Sequence, residues 1–218
     1  LRQIGGIWSF ADLEDICLAE MKVLLGEPVV QVQEDGLPYA DGTFDRIVCI
    51  DVHEHVDEPS IVSAETSRIL KPGGQLIVTT PNGDEAKLAV RLKNSVGMSK
   101  EAYGHRRIGL TGEEIRALMT RDNIETVQTL TFSRFFKELL ELSINFAYVK
   151  ILSKKSDVAD DHEHPEIAPA TSSQLQTVSK SYRIYSMIFP IYWLLSQLDA
   201  LVFFTEGYCV MVEGRRSP

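Results

Sequence analysis

Cysteine is scarce in this chain, with three in 218 residues. Cys17, Cys49 and Cys209 lie far apart and are odd in number, which excludes a disulfide framework and offers no thiolate metal set. Cys49 and Cys209 fall within apolar runs and are expected to be buried, reduced thiols. Basic residues are in deficit, 22 against 31 acidic, for a net charge of −9. No clustered Lys/Arg face is visible, so a phosphate-backbone partner is excluded and no nucleic acid is expected. A charged segment leading into an apolar signal run is absent, so a cytoplasmic, reducing compartment is expected. No uninterrupted apolar run reaches the roughly 18 residues needed to cross a bilayer. His162-Glu163-His164 is a weak metal pattern, since two histidines around one acid in a soft loop rarely suffice; no metal site is expected.

What is present is the composition of a globular domain, 44% hydrophobic and 24% charged. That length can bury a full core. Three apolar β-type runs organise it: Val29–Val32, Arg46–Ile50 and Gln75–Thr80. Little polar alternation marks them as strands buried on both faces, hence parallel strands beneath helices. A helix over Leu13–Leu25 is stopped by Gly26, and a second begins near Pro59. Pro72-Gly73-Gly74 ends that second helix. Glu65 and Arg68 form an i,i+3 pair that reads as surface support. Thr111-x-x-Glu114 is a capping box opening a helix with Ile115, Leu118 and Met119 inward. Ile124–Thr131 reads as a further strand, and Gly207–Glu213 as a closing antiparallel one. In open sheets of this kind ligands bind at the carboxyl ends of the strands.

LPYADGTFDRIVCIDVHEHV followed by RILKPGGQLIVTTPN closely resembles the class I S-adenosylmethionine-dependent methyltransferases, in their small-molecule, type 11-like branch. The likeness covers roughly residues 5–132 and returns at 206–213. It implies an α/β fold: a Rossmann-like, doubly wound, mostly parallel sheet with an antiparallel last strand, plus a helical insertion. Residues 1–132 and 206–218 would form the methyltransferase domain. Residues 133–205 would form the insertion or lid, with a mobile loop near 153–180. The family's first strand and glycine-rich turn have no counterpart here, which suggests an amino-terminal segment beyond this sequence; a degenerate, non-binding domain is the rival.

The resemblance also implies the site. Asp12, ending a strand, would accept from both ribose hydroxyls of S-adenosyl-L-methionine, with Leu13 beside the adenine. The Asp12 side chain could equally cap the following helix. Asp35, or else Glu34, would meet the adenine amino group, with Gly36 and Leu37 in the same bend. Asp51 and Val52 would lie where methyl donor and acceptor meet, leaving S-adenosyl-L-homocysteine as product. His53, Glu54 and His105 are the candidate bases, with His55 behind them. The acceptor is expected to be a small or lipid-like molecule. The apolar stretch 182–204 has three readings: a lid, a homodimer face, or a surface laid on a membrane, which would make the protein peripheral to it. A non-catalytic methyltransferase-like binding or assembly module is the alternative function.

Overall fold

Runs of Val, Ile and Thr form the strands, and the strands fix the order of everything between them. The computed structural model describes residues 5–13, 15–26, 29–33, 36–87, 90–91, 100, 105–147 and 189–218. Expectations for Glu34 and Asp35, for most of the helix at 84–98 and for the loop at 153–180 lie outside the described residues.

In chain order the elements are β1 (Phe10–Asp12), α1 (Asp15–Leu25), β2 (Val29–Gln31), β3 (Phe44–Ile50), α2 (Pro59–Ile69) and β4 (Leu70–Pro81). There follow α3 (Gly112–Arg121), β5 (Ile124–Phe132), α4 (Phe135–Ala147), a 3-10 turn (Gln197–Val202) and β6 (Cys209–Arg216). β1 pairs with β2 in parallel, and β3 with β4 in parallel. β6 runs antiparallel between β4 and β5, giving the order β3-β4-β6-β5. The mixed sheet with an antiparallel closing strand is thus as the sequence implied.

Two features differ from the sequence reading. Among the described residues β1 and β2 form a sheet of their own, so β3 is an edge strand with Cys49 its one buried residue. Ile50 is 58% exposed. The both-face burial expected for this run is not found: Arg46 and Ile50 are exposed. The core is built on one face of the larger sheet: Leu76, Val78, Val210 and Val212 meet Ile115 and Met119 of α3 and Leu110 before it. The second concerns α2, where the spacing offers Ile61, Val62, Ala64, Ile69 and Leu70 as a loose apolar face: Val62, Ile69 and Leu70 do pack inward, with Ser63, Thr66 and Ser67 beside them, while Ile61 and Ala64 are exposed. Its hydroxyls are satisfied locally, Thr66 Oγ1 on Val62 O at 2.9 Å, or across the fold, Ser67 Oγ on Asp122 O at 2.6 Å.

Chain ends of the strands are tied by close backbone approaches. Gly207 lies so near the backbone of Phe132 that a Cβ there would overlap its carbonyl oxygen. Tyr208 N–H donates to Ser133 O at 2.8 Å, and Asn82 N–H to Tyr208 O at 2.5 Å. These bonds bring the residues leading into β6 onto the carboxyl end of β4.

Residues 134–137 and the 3-10 turn are clipped together by one carboxylate. Asp199 in the 3-10 turn accepts from the backbone N–H groups of Arg134 (2.8 Å), Phe136 (2.8 Å) and Lys137 (3.3 Å) at the start of α4. It caps that helix from 62 to 65 residues away, meeting donors that a helix cannot satisfy itself. Asp199→Ala should therefore lower unfolding stability by about 0.5–2 kcal/mol, read in urea melts, with helical circular dichroism reduced before the sheet is lost.

A candidate active site at the carboxyl ends of the strands

β1 and β2 end side by side. Asp12 pairs with Gln31, and Val32 N–H donates to Asp12 O at 3.0 Å. The turn that follows β2 closes with Gly36 N–H on Gln33 O, 3.3 Å. Asp12 and Leu13 are half-buried, as are Gly36 and Leu37. Asp12 and the bend before Leu37 therefore share one edge.

That bend is pinned from α2 by the pair the sequence reading took for surface support. Glu65 Oε2 accepts from Leu37 N–H at 2.9 Å. Arg68 holds both Glu65 oxygens (2.8 and 2.7 Å), and donates to Tyr39 O (2.8 Å), Leu37 O (3.0 Å) and Asp41 Oδ1 (2.8 Å). The guanidinium fork suits several fixed acceptors at once. Glu65 is held below its ordinary pKa by Arg68. The i,i+3 spacing was legible; the loop it grips was not. Arg68→Lys, which keeps the charge but loses the fork, should lower the melting temperature by a few degrees and speed proteolysis at 37–41.

At the end of β3 the backbone turns sharply. Asp51 has φ 49°, a left-handed conformation uncommon for a non-glycine residue. Its N–H donates to Thr79 O at 3.0 Å, and its Oδ1 accepts from Thr79 Oγ1 at 3.3 Å. Desolvation raises its carboxyl above the ordinary range. Val52 folds back against the core.

The turn after Asp51 divides the three candidate bases. His53 is 2% exposed, its Nδ1 3.8 Å from Cys49 Sγ. Burial first, and the Arg107 cation second, depress it to about 4. Glu54 is fully buried, accepts from Thr80 Oγ1 at 3.0 Å through Oε2, and leaves Oε1 without a partner. Burial, with Asp51 adding to it, raises its carboxyl to about 7. His105 is half-buried, and its ring meets that of His55 edge-on with centroids 4.5 Å apart. Two separate segments are stitched here: Arg106 and Arg107 N–H both donate to Glu54 O (2.8 and 3.3 Å), and Arg107 Nη2 reaches Asp57 O at 2.7 Å. The structure thus gathers Glu54, His55 and His105, and turns His53 towards Cys49. Cys49 is free and buried, its thiol pushed up to about 12 by burial, while Cys209 is partly exposed.

Comparison with known proteins follows this geometry. Residues 12–78 match the family model described as a methyltransferase domain. That stretch is similar to the family, and the fold is that of solved S-adenosylmethionine-dependent methyltransferases. A ubiquinone biosynthesis O-methyltransferase of Xanthomonas oryzae pv. oryzae is 38% identical over 61 residues, 28% of this chain and 26% of the relative. The match thus spans about a quarter of that relative's length. The solved [4+2]-cyclase SpnF shares the fold with TM-score 0.56 at 18% identity, over 95% of this chain and 65% of its own. Phosphoethanolamine N-methyltransferase 2 of Haemonchus contortus, solved with S-adenosyl-L-methionine, gives TM-score 0.55 at 12% identity, over 95% and 43%. These low identities establish the fold alone.

His53 and Glu54 make opposite demands on stability. The unfolded chain binds a proton on histidine near 6.5 that the folded chain refuses until about 4, so His53 makes stability rise with pH across that interval. Folded Glu54 keeps its proton from its ordinary 4.5 up to about 7, so it makes stability fall there. The two nearly cancel between pH 4.5 and 6.5. Glu54→Gln should expose the His53 slope, making stability rise more steeply with pH than in the unmodified chain by up to about 1.4 kcal/mol per pH unit in urea melts between pH 4.5 and 6.5.

Proposed function

We propose that the protein is an S-adenosylmethionine-dependent methyltransferase that moves a methyl group onto an oxygen of a small, lipid-like acceptor. The observation that carries it is the meeting of the family match at 12–78 with a row of polar groups, Asp12, Gly36-Leu37 and Asp51, at the carboxyl ends of β1, β2 and β3. In this reading Asp12 accepts from the ribose hydroxyls and Leu13 lies against the adenine. The 33–37 bend, with Glu34 and Asp35 within it, takes the adenine amino group. Asp51 and Val52 border the place where methyl donor and acceptor meet.

The cofactor, when bound, supplies a sulfonium-activated methyl group, and the by-product is S-adenosyl-L-homocysteine. The chain's own task is placement: the acceptor oxygen must lie opposite the breaking S–C bond in a dry crevice. Orientation of that kind can contribute roughly 7–11 kcal/mol in good cases. The forming C–O bond requires the acceptor's proton to leave, and a base is helpful rather than essential. Of the candidates, His53 and Glu54 are enclosed, while His105 and His55 are half-buried.

Two observations favour the acceptor class. The curated relatives are named for O-methylation in ubiquinone biosynthesis. The described carboxyl-terminal part of the insertion exposes Phe189, Ile191, Trp193, Leu194, Phe203 and Phe204, a surface suited to an apolar tail. No helix among the described residues is long and apolar enough to cross a membrane. A second reading, the binding or assembly module, is favoured by the break between β1–β2 and the larger sheet among the described residues.

Calorimetric titration of the full-length natural protein with S-adenosyl-L-homocysteine separates the two. The enzyme reading expects one site per chain, weakened about 10- to 100-fold by Asp12→Ala, as loss of a hydrogen-bonded carboxylate entails. No binding, or equal affinity in the variant, would remove the enzyme reading as drawn here.

A further inference from the structure

Three side chains from two distant segments converge beside the proposed reaction centre. One ligand atom each from Glu54, His55 and His105 lie within 4.8 Å of one another. Fifty residues of chain separate His55 from His105, and the backbone bonds from Arg106 and Arg107 to Glu54 O hold the segments in register. Those bonds are independent of the three side chains, so the cluster is positioned by the scaffold.

The carboxylate supplies a second, separate observation. Glu54 is fully buried, and while Oε2 takes the Thr80 hydroxyl, Oε1 has no hydrogen-bond partner. A buried oxygen left without a donor is costly, and such a group is suited to binding a cation. Arg107 does not supply the missing charge directly, since its Nη2 reaches the carbonyls of Val56 and Asp57.

We propose that Glu54, His55 and His105 bind one divalent transition-metal ion of the zinc class. Two imidazoles and one carboxylate are a donor set for zinc or its neighbours, whereas magnesium and calcium favour all-oxygen sets. Bonds of about 2.0–2.2 Å place ligand atoms in a tetrahedron roughly 3.3–3.6 Å apart, so the three atoms must draw in by about an ångström. Rotation of the His55 and His105 rings about their side-chain bonds can supply that. Three protein ligands leave an open position, which is the arrangement of a metal that handles substrate rather than one that merely braces the fold. A hydroxyl in that position would be acidified by the ion, and a free base would not be needed. The site stands on its own geometry and does not depend on the methyl-transfer reading.

The test uses the full chain, stripped with a chelator, dialysed and titrated with Co2+ and then Zn2+. One Co2+ per chain with visible d–d absorption, displaced by one Zn2+, is expected, together with a rise in melting temperature. Outer-shell changes alone cost such sites about 10- to 100-fold in affinity, so His55→Ala and His105→Ala should each cost at least about a hundredfold. Glu54→Gln should do the same. If it misfolds in the absence of metal, the two histidine variants suffice, because both rings are half-buried. The His162→Ala/His164→Ala double variant should bind as the unmodified chain does. Absence of stoichiometric metal, unchanged affinity in either His55→Ala or His105→Ala, or loss of binding in the 162/164 variant would each overturn the proposal. Titration with S-adenosyl-L-homocysteine on the same samples keeps this outcome separate from that of the proposed activity.

Discussion

The constraint on which the structure depends is the burial of β4 between two partners of opposite sense. It pairs in parallel with β3 along Arg46–Ile50 and antiparallel with β6 along Gln75–Pro81. Its Leu76, Val78 and Thr80 are fully buried. Backbone groups so enclosed must all be paired, which leaves little freedom of register. Everything chemical is measured from this strand. Thr79 holds Asp51, Thr80 holds Glu54, and Pro81 O receives Leu110 N–H at 3.0 Å, so that the 105–110 segment crosses the strand end.

A second layer of fixation comes from charge. Arg68 binds two stretches at once, with its side chain on the 37–41 loop and its carbonyl under Gly42 N–H and Arg216. A loop beside a ligand crevice gains little from apolar burial, so it is held by directional bonds instead. Asp199 plays the corresponding part after β5, where one carboxylate accepts from the amide of Arg134 and two amides of the first turn of α4. Both devices position backbone through directional bonds.

Much of the frame could be read in advance, for local reasons. The capping box is present as expected, Glu114 N–H on Thr111 Oγ1 at 3.2 Å and Thr111 N–H on Glu114 Oε2 at 2.7 Å, because its bonds span three residues. The runs at 29, 46, 75 and 124 are strands, as their β-branched residues favour. The apolar face of α2 held in part: Val62, Ile69 and Leu70 pack inward, but Ile61 and Ala64 are exposed and Ser63, Thr66 and Ser67 share the buried side. The site was legible as a set of candidates and not as an arrangement, since His53, Glu54 and His55 are consecutive and sequence spacing in a turn does not assign directions.

The sequence by itself determined the elements, their order, and the family motif from Leu37 to Asn82, all of which rest on short-range propensity and pattern. Only the tertiary structure decided that β6 slides between β4 and β5, that Asp199 caps a helix more than sixty residues earlier, and that His105 meets His55 over Glu54. The reason is physical. Such contacts are chosen by sheet order and by the need to pair enclosed backbone groups, and that competition is settled among segments far apart in the chain.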